Sequence, residues 1–122
     1  MKQILVIDDD TQFRLMLRRI LEKQGYEVHE ASDGKQGLDS YRSLQTDLVI
    51  TDIIMPEKEG VETIVALRSE YPSVKIIAIS GGGRNAPGDY LMLAKKLGAQ
   101  VTMEKPLDRN HLLEEIELLT GS

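Results

Sequence analysis

Charged and polar side chains follow several apolar stretches of this sequence, each at the point where the stretch ends. Asp8 and Asp9 come directly after the first stretch, and Asp52 closes the third. Ser80 and Lys105 stand at or just after the ends of two later stretches. Carboxylates suit a hard cation, and a hydroxyl with an ammonium group suits a phosphoryl group. These residue types therefore predict phosphate chemistry.

Asp52 is the residue on which this interpretation depends. Residues 48–51 read as a buried strand, because three apolar residues and a Thr follow one another there. The Pro and Gly within residues 53–60 predict a loop directly afterwards. Open α/β sheets bind ligands at the carboxyl ends of their strands, which favours a functional role. The alternative is an Asp that only begins a turn.

Three carboxylates would meet if the first and third strands were neighbours. Two unit charges about 4 Å apart repel by roughly 4 kcal/mol at an effective dielectric near 20. Either the pKa values of such carboxyls rise or a cation lies among them, and Mg²⁺ with retained waters suits an open site. Helix capping is the alternative role of the acidic run. We assign capping to Asp10 or Thr11, which leaves Asp8 and Asp9 for the cation.

The hydrophobic pattern predicts five strands that alternate with five helices. The predicted strands are residues 4–7, 26–31, 48–52, 74–79 and 100–103, and the predicted helices are centred within 11–24, 38–44, 61–67, 90–97 and 108–119. Such alternation favours right-handed βαβ units and a parallel sheet covered on both faces. The first, third and fourth strands are the most apolar, so we expect them to be central. The prediction is a flavodoxin-like (βα)5 doubly wound parallel sheet with strand order 2-1-3-4-5.

Length and charge limit the classes of function. A chain of 122 residues with a net charge of −5 predicts one domain over residues 1–122, and it lacks the basic field that direct nucleic-acid binding requires. There is no Cys, which removes disulfides and thiolate metal sites. The apolar run at residues 4–7 is too short for a signal peptide or for membrane insertion. We therefore expect a cytoplasmic protein.

Taken together, these residues resemble the receiver domains of two-component response regulators, in particular the single-domain chemotaxis type. The resemblance covers essentially the whole chain. It rests on Asp8-Asp9, on Asp52 with Pro56 and Gly60 in the pattern D-x-x-x-P-x-x-x-G, on Ser80 and on Lys105-Pro106. Each motif alone is weak, but their order on successive strands is specific.

The resemblance implies that Asp52 is the phosphoryl acceptor. It implies that Asp9 and Asp52 bind Mg²⁺ directly, that Asp8 does so through water, and that the backbone carbonyl of Ile54 completes the protein ligands. The protein would phosphorylate itself from a phospho-histidine donor, with no separate substrate, and would not otherwise be an enzyme.

The resemblance also assigns the remaining site residues and the partners. Ser80 would be the switch hydroxyl that moves toward the phosphoryl group, and Lys105 would pair with that group. The donor would be a sensor histidine kinase or a histidine phosphotransfer protein, and an unknown downstream protein would be the target. Phosphorylation-dependent dimerisation stays open.

Thr102 departs from the pattern of the family. The second switch residue, three before the Lys, is usually aromatic and is Thr102 here. A Thr cannot make the aromatic swing that couples Ser80 to the face formed by the fourth helix, the fifth strand and the fifth helix. We expect the glycine-rich stretch 81–88 to take over this switching role, or else to be a plain connection.

Two alternative functions remain at this point. A phosphate-independent protein-interaction module with the same fold would need none of the acidic residues, and the missing aromatic residue favours it. A haloacid-dehalogenase-type phosphatase would use an acidic D-x-D motif, for which Asp8-Asp9-Asp10-Thr11 is a candidate. That motif requires Thr or Val where Gln12 stands, and the sequence shows no late second acidic pair.

The first helix and the end of the chain give two further expectations. The predicted apolar stripe of the first helix comprises Phe13, Met16, Leu17, Ile20 and Leu21. Leu15 lies off this stripe among Arg14, Arg18 and Arg19, which is typical of an anchor for a kinase or phosphotransfer helix bundle, or of an isolated surface Leu. The chain ends directly after the last helix. We expect a stand-alone regulator rather than a receiver cut from a longer protein.

Overall fold

The structure is a computed structural model in which residues 1–53, 59–80 and 87–121 are described, with the backbone alone at residues 59 and 87–91. Five strands alternate with five helices. They are β1 (Gln3–Ile7), α1 (Thr11–Lys23), β2 (Glu27–Ala31), α2 (Gly34–Leu44), β3 (Leu48–Asp52), α3 (Glu59–Glu70), β4 (Ile76–Ser80), α4 (Pro87–Leu97), β5 (Val101–Glu104) and α5 (Arg109–Thr120).

All five strands form one parallel sheet in the order β2-β1-β3-β4-β5. The predicted flavodoxin-like fold and strand order are therefore confirmed. The three most apolar strands are central because both of their faces are covered by helices, and β2, which carries Glu27, His29 and Glu30, lies at an edge. The switch point of the sheet falls between β1 and β3, where ligands bind in open α/β folds.

The sheet separates two hydrophobic cores. One core packs α1 and α5 against one face of the sheet and is built around Leu17, Leu21, Leu112 and Ile116 with inward residues of β1, β3 and β4. The other core packs α2, α3 and α4 against the opposite face. Successive residues of a strand alternate between the two cores, as a pleated strand requires. The strand ends are therefore held by packing on both sides.

Helix boundaries follow local capping, with one wrong prediction. Asp10 is the N-cap of α1 and accepts hydrogen bonds from the N–H groups of Gln12 and Phe13, as one of the two predicted caps. The fourth helix begins at Pro87 rather than near Tyr90. A Pro is favourable at the first helical position because its fixed φ is already helical. The predicted loop therefore ends before Pro87, and residues 81–86 lie outside the described residues.

The helices are short and amphipathic. None of those in the described ranges combines the length and the apolar character that a bilayer crossing needs.

Candidate functional site

Backbone hydrogen bonds hold the site residues at the carboxyl edge of the sheet. The Asp8 N–H donates to the Ala31 carbonyl at 3.1 Å, and the Lys105 N–H donates to the Ser80 carbonyl at 2.8 Å. The residue after Asp52 bonds to β4 in the same way. Each of these bonds extends the hydrogen bonding between two neighbouring strands by one residue. The backbone at the start of each loop is therefore held in place.

Three carboxylates meet at this edge. One carboxylate oxygen each of Asp8, Asp9 and Asp52 lies within 4.8 Å of the other two. Asp8 is 1% exposed and Asp52 is 5% exposed, whereas Asp9 faces solvent. Opposite ligands of an octahedral Mg²⁺ ion are about 4 Å apart, so three oxygens at this spacing can share one hard divalent cation after small side-chain movements. The acidic set therefore fits a metal ion.

Lys105 joins two of these carboxylates. Its ammonium nitrogen lies 3.1 Å from Asp8 Oδ2 and 3.1 Å from Asp52 Oδ2. The Lys105 side chain is 19% exposed, and one end of the cluster is open to solvent through Asp9. We call Asp8, Asp9, Asp52 and Lys105 the acidic site.

Burial and repulsion govern the charge of the acidic site. Burial raises the pKa of Asp8 from 3.8 to about 6; the N–H of Asp10 opposes this, Asp52 adds to it, and Lys105 opposes it. Burial also lowers the pKa of Lys105, but the charges of Asp52 and Asp8 outweigh it, and the net pKa is raised. Lys105 is therefore positively charged, and its single charge faces the three carboxyl groups of the acidic site.

Ser80 occupies the end of β4 and is fully buried. Strand alternation places its side chain on the same face as Ile76 and Ala78, toward α3 and α4, whereas Asp52 follows Ile50 on the α1 and α5 face. Its hydroxyl has no hydrogen-bond partner among the described residues. In this structure Ser80 thus lies beside the acidic site with an unused donor and forms no bond to it.

The close approach of α3 explains the Gly of the D-x-x-x-P-x-x-x-G pattern. A Cβ atom at Gly60 would overlap the carbonyl oxygen of Asp52 and the Cα of Ile53. Gly60 therefore allows the first turn of α3 to lie against the end of β3. The carbonyl of Ile54 and the ring of Pro56 lie outside the described residues.

Two residues contact the acidic site without having been predicted there. Arg14 donates from Nη1 to the backbone carbonyl of Asp8 at 2.6 Å, and the Lys105 ammonium lies 3.9 Å from the centre of the Phe13 ring. Phe13 was assigned to the apolar stripe of the first helix, and Arg14 to an exposed ring around Leu15. The sequence carried one indication of these contacts. Both residues fall in the first turn of a predicted helix that directly follows the acidic end of the first strand.

The surface around Leu15 only partly matches its prediction. Leu15 is 42% exposed, and Met16, which was expected on the core stripe, is 41% exposed. Arg14 and Arg18 are held by Glu30 through ion pairs at 3.0 and 2.7 Å. The apolar patch on α1 is therefore a Leu–Met pair rather than a Leu surrounded by free Arg residues.

Thr102 lies on β5 opposite Ala78 of β4, toward α4. With Met92, Lys95 and Lys96 it lines a shallow cavity of about 300 Å³. A small side chain at this position leaves room between β5 and α4 that an aromatic ring would fill.

Comparisons with known proteins agree with this geometry. The family model of the response regulator receiver domain matches residues 4–117. The chemotaxis protein CheY of Thermotoga maritima is 35% identical over 116 residues, which are 94% of each chain. The CAI-1 autoinducer sensor kinase/phosphatase CqsS of Vibrio cholerae is 37% identical over 118 residues, which are 94% of this chain and 17% of that protein.

A solved structure supports the same relationship. The response regulator receiver domain protein from Clostridium thermocellum has a TM-score of 0.91 and 30% sequence identity, covering 99% of this chain and 95% of that one. The match favours a receiver over the phosphatase considered from the sequence. The chain belongs to the response regulator receiver domain family and is a phosphoacceptor module of two-component signalling.

Proposed function

We propose that Asp52 accepts a phosphoryl group from a phospho-histidine, with Mg²⁺ held by Asp8, Asp9 and Asp52. The observation that carries this proposal is the acidic site itself, where three carboxylate oxygens lie within 4.8 Å of one another and one ammonium bridges two of them. Family membership supports the same chemistry. The proposal takes residues 1–122 as one receiver unit in the cytoplasm.

Asp52 is a better acceptor than its acidic neighbours. Asp8 uses Oδ1 to accept the Asp10 N–H at 2.9 Å and Oδ2 to accept from Lys105. Its pKa of about 6 also leaves it partly protonated near neutral pH. Asp9 is exposed and holds no fixed position against Lys105 in the described contacts. Asp52 combines burial, a neighbouring ammonium and the end of a central strand.

The donor set suits the proposed cation. Mg²⁺ prefers carboxylate oxygens and retains several waters, and Asp9 leaves the acidic site open to solvent on one side. When bound, this ion would offset the charge of the carboxylates and of the phosphoryl oxygens. The Ile54 carbonyl would complete the protein ligands, as a further part of the proposal.

The chain itself supplies the other interactions of the transfer. The N–P bond of the phospho-histidine breaks while an O–P bond forms to Asp52, giving an acyl phosphate and a free histidine. Lys105 offers a charged donor to the phosphoryl oxygens from its place beside Asp52. Ser80 has an unused buried hydroxyl that can donate to the same group after moving toward Asp52.

The proposed donor is a sensor histidine kinase or a histidine phosphotransfer protein. We place its docking contact on α1, where the exposed Leu15 and Met16 lie on the helix that begins beside the acidic site. The proposed output is a change in contacts with a downstream protein, with dimerisation as one form it can take. Direct nucleic-acid binding and membrane insertion are no part of the proposal.

Intact-protein mass spectrometry after incubation with Mg²⁺ and acetyl phosphate tests the acceptor. We expect a gain of one phosphoryl group that requires Mg²⁺ and is lost in Asp52→Asn. A gain that persists in Asp52→Asn would assign the acceptor elsewhere. No gain in the wild-type protein at any Mg²⁺ concentration would overturn the proposal and leave a phosphate-independent binding module.

A second experiment tests the docking contact. Leu15→Asp should slow transfer from a phosphotransfer protein that loads the wild type, and it should leave loading by acetyl phosphate unchanged. Leu44→Asp on α2 is the matched control, because Leu44 is 41% exposed and Leu15 is 42% exposed. Equal transfer rates for the two variants would place the docking surface away from Leu15.

A further inference from the structure

Phe13 lies directly beneath the charged group of Lys105. The ammonium nitrogen is 3.9 Å from the ring centre, within the range of a cation–π contact. Phe13 is the only Phe of the chain and lies in the first turn of α1. Its ring is thus the aromatic neighbour of the single ammonium group in the acidic site.

Hydrogen bonds connect Phe13 back to the carboxylate that Lys105 contacts. Asp8 Oδ1 accepts the Asp10 N–H at 2.9 Å, and Asp10 Oδ1 accepts the Phe13 N–H at 3.2 Å. Lys105 then donates to Asp8 Oδ2 at 3.1 Å from its place over the Phe13 ring. Together these contacts form a closed circuit. It runs from Lys105 through both oxygens of the buried Asp8 carboxylate to Asp10, then to Phe13, and from the Phe13 ring back to Lys105.

Packing fixes the ring within this circuit. Phe13 is partly buried and packs against the core formed by α1, α5 and the sheet. Arg14, the next residue, bonds to the Asp8 carbonyl and to Glu30. The first turn of α1, and with it the backbone that carries the ring, is therefore tied to the ends of β1 and β2.

The ring matters most when a cation occupies the carboxylates. The present partners of the Lys105 ammonium are Asp8 and Asp52, the residues proposed to share that cation. A Lys side chain is a flexible four-carbon stem, so weakening these two bonds would free the ammonium to leave the crevice. The Phe13 face attracts the ammonium independently of the carboxylates.

On the basis of the proposed function, we propose that Phe13 is a positioning residue that keeps the Lys105 ammonium beside Asp52 during phosphoryl transfer. Replacing the ring should slow the limiting rate of the transfer, because the ammonium acts on the developing phosphoryl charge. It should leave the half-saturating concentration of a small donor unchanged, because Phe13 itself does not touch the donor.

The kinetic test uses acetyl phosphate and Mg²⁺ with three variants at position 13. We expect Phe13→Leu to lower the limiting rate roughly 3- to 30-fold, and Phe13→Tyr and Phe13→Trp to stay within about 2-fold of wild type, since their rings bind cations as well. Tyr26→Leu is the matched control. Tyr26 packs against the same core and belongs to the opposite, amino-terminal end of the sheet.

A nuclear magnetic resonance measurement on the metal-free protein gives a readout that does not depend on phosphorylation. The Cε protons of Lys105 should be shifted upfield by the ring in the wild type and in Phe13→Tyr. They should return toward ordinary Lys values in Phe13→Leu and remain shifted in Tyr26→Leu. Thermal unfolding of each variant identifies any loss of fold, and Phe13→Met replaces Phe13→Leu if the latter does not fold.

The outcomes separate this inference from the proposed function. If the wild type is not phosphorylated, the proposed function fails, while an upfield-shifted Lys105 still supports the contact. If the wild type is phosphorylated and Phe13→Leu matches its limiting rate, the positioning role is overturned. A Phe13→Tyr variant as slow as Phe13→Leu would also overturn it, because the ring would then not be the active feature.

Discussion

Two clusters of charged side chains lie beside α1, one before its first residue and one along it, and both combine carboxylates with cationic side chains. The acidic site holds three carboxylates around one ammonium, and two of these carboxylates are almost fully buried. The second cluster, which we call the α1–β2 ion-pair cluster, holds Arg14, Arg18, Glu22 and Glu30. Its two carboxylates face two guanidinium groups, and its side chains are between 13% and 48% exposed.

The two clusters have opposite effects on the acids within them. In the acidic site, burial raises the pKa of Asp8 to about 6. In the α1–β2 ion-pair cluster, hydrogen bonds from Arg18, partly opposed by burial and aided by Arg14, lower the pKa of Glu30. A cluster with balanced charge stabilises the fold, whereas one with excess negative charge either holds a proton or binds a cation from solution. Charge balance thus separates a structural cluster from a functional one.

Removing the ammonium of the acidic site should have the largest effect. Lys105→Ala should lower the rate of loading from acetyl phosphate by about 100-fold or more, as for other donors that stabilise transition-state charge. It should also raise Mg²⁺ affinity, because in the wild-type protein the Lys105 ammonium is bound to Asp8 and Asp52 and competes with the ion for them. Mass spectrometry measures loading, and calorimetry measures Mg²⁺ binding.

Arg18→Ala is the control for this experiment, since it removes a cation from the α1–β2 ion-pair cluster and breaks ion pairs to Glu22 and Glu30. We expect normal loading from acetyl phosphate in this variant. If loading and Mg²⁺ affinity fell together in Lys105→Ala, Lys105 would be holding the site in shape rather than competing with the cation.

The next effect is on the stability of the metal-free protein. Because the folded-state pKa of Asp8 is raised above its unfolded value, folding takes up a proton between pH 3.8 and about 6. The stability that Asp8 contributes is therefore greatest at low pH and is lost as the pH rises through 6. Asp8→Asn should raise the free energy of unfolding at pH 7 by about 2 kcal/mol in a metal chelator.

Urea unfolding at several pH values between 4 and 8 measures this difference. The stability of the Asp8→Asn variant should decline less than that of the wild type over this interval. Parallel curves for the two proteins would show that Asp8 is not the group whose ionisation is penalised.

Proton release should also govern the affinity of the site for its cation. The carboxyl of Asp8 must lose its proton before it can bind Mg²⁺. Below pH 6 we therefore expect Mg²⁺ affinity to fall by about tenfold per pH unit, with the loss ending above pH 7. Calorimetric titration in buffers of different ionisation enthalpy would show whether a proton is released. Affinity that is independent of pH between 5 and 7 would contradict this prediction.

The sequence was sufficient for most of the fold and for the position of the acidic site. Apolar runs located all five strands, and parallel strands end at one edge, so the sequence predicted that Asp8, Asp52 and Lys105 lie near one another. Local chemistry also named Asp10 as one of two caps. These predictions hold because they depend on the order of elements and not on side-chain direction.

Side-chain contacts between distant segments could not be obtained in this way. Phe13 and Lys105 belong to the first helix and to the loop after the last strand, and helical periodicity says nothing about such a pair. The same periodicity placed Met16 in the core, but Met16 is 41% exposed while the next residue, Leu17, is fully buried. Side-chain direction also explains why Ser80 forms no bond to the acidic site, because the pleat of β4 places Ser80 on the sheet face opposite Asp52.

The smallest expected effect belongs to the α1–β2 ion-pair cluster, and it should have the opposite sign to that of Asp8. Glu30 has a lowered pKa in the folded state, so its contribution to stability is present above its unfolded value of 4.5 and is lost as the pH falls. Glu30→Gln should therefore cost about 1 kcal/mol at pH 7, a value kept small by partial exposure, and progressively less as the pH falls below 4.5. Urea unfolding of Glu30→Gln and Asp8→Asn in parallel measures the change in stability of each variant with pH. A Glu30→Gln variant that gained stability at pH 7 would remove the distinction between a balanced and an unbalanced cluster.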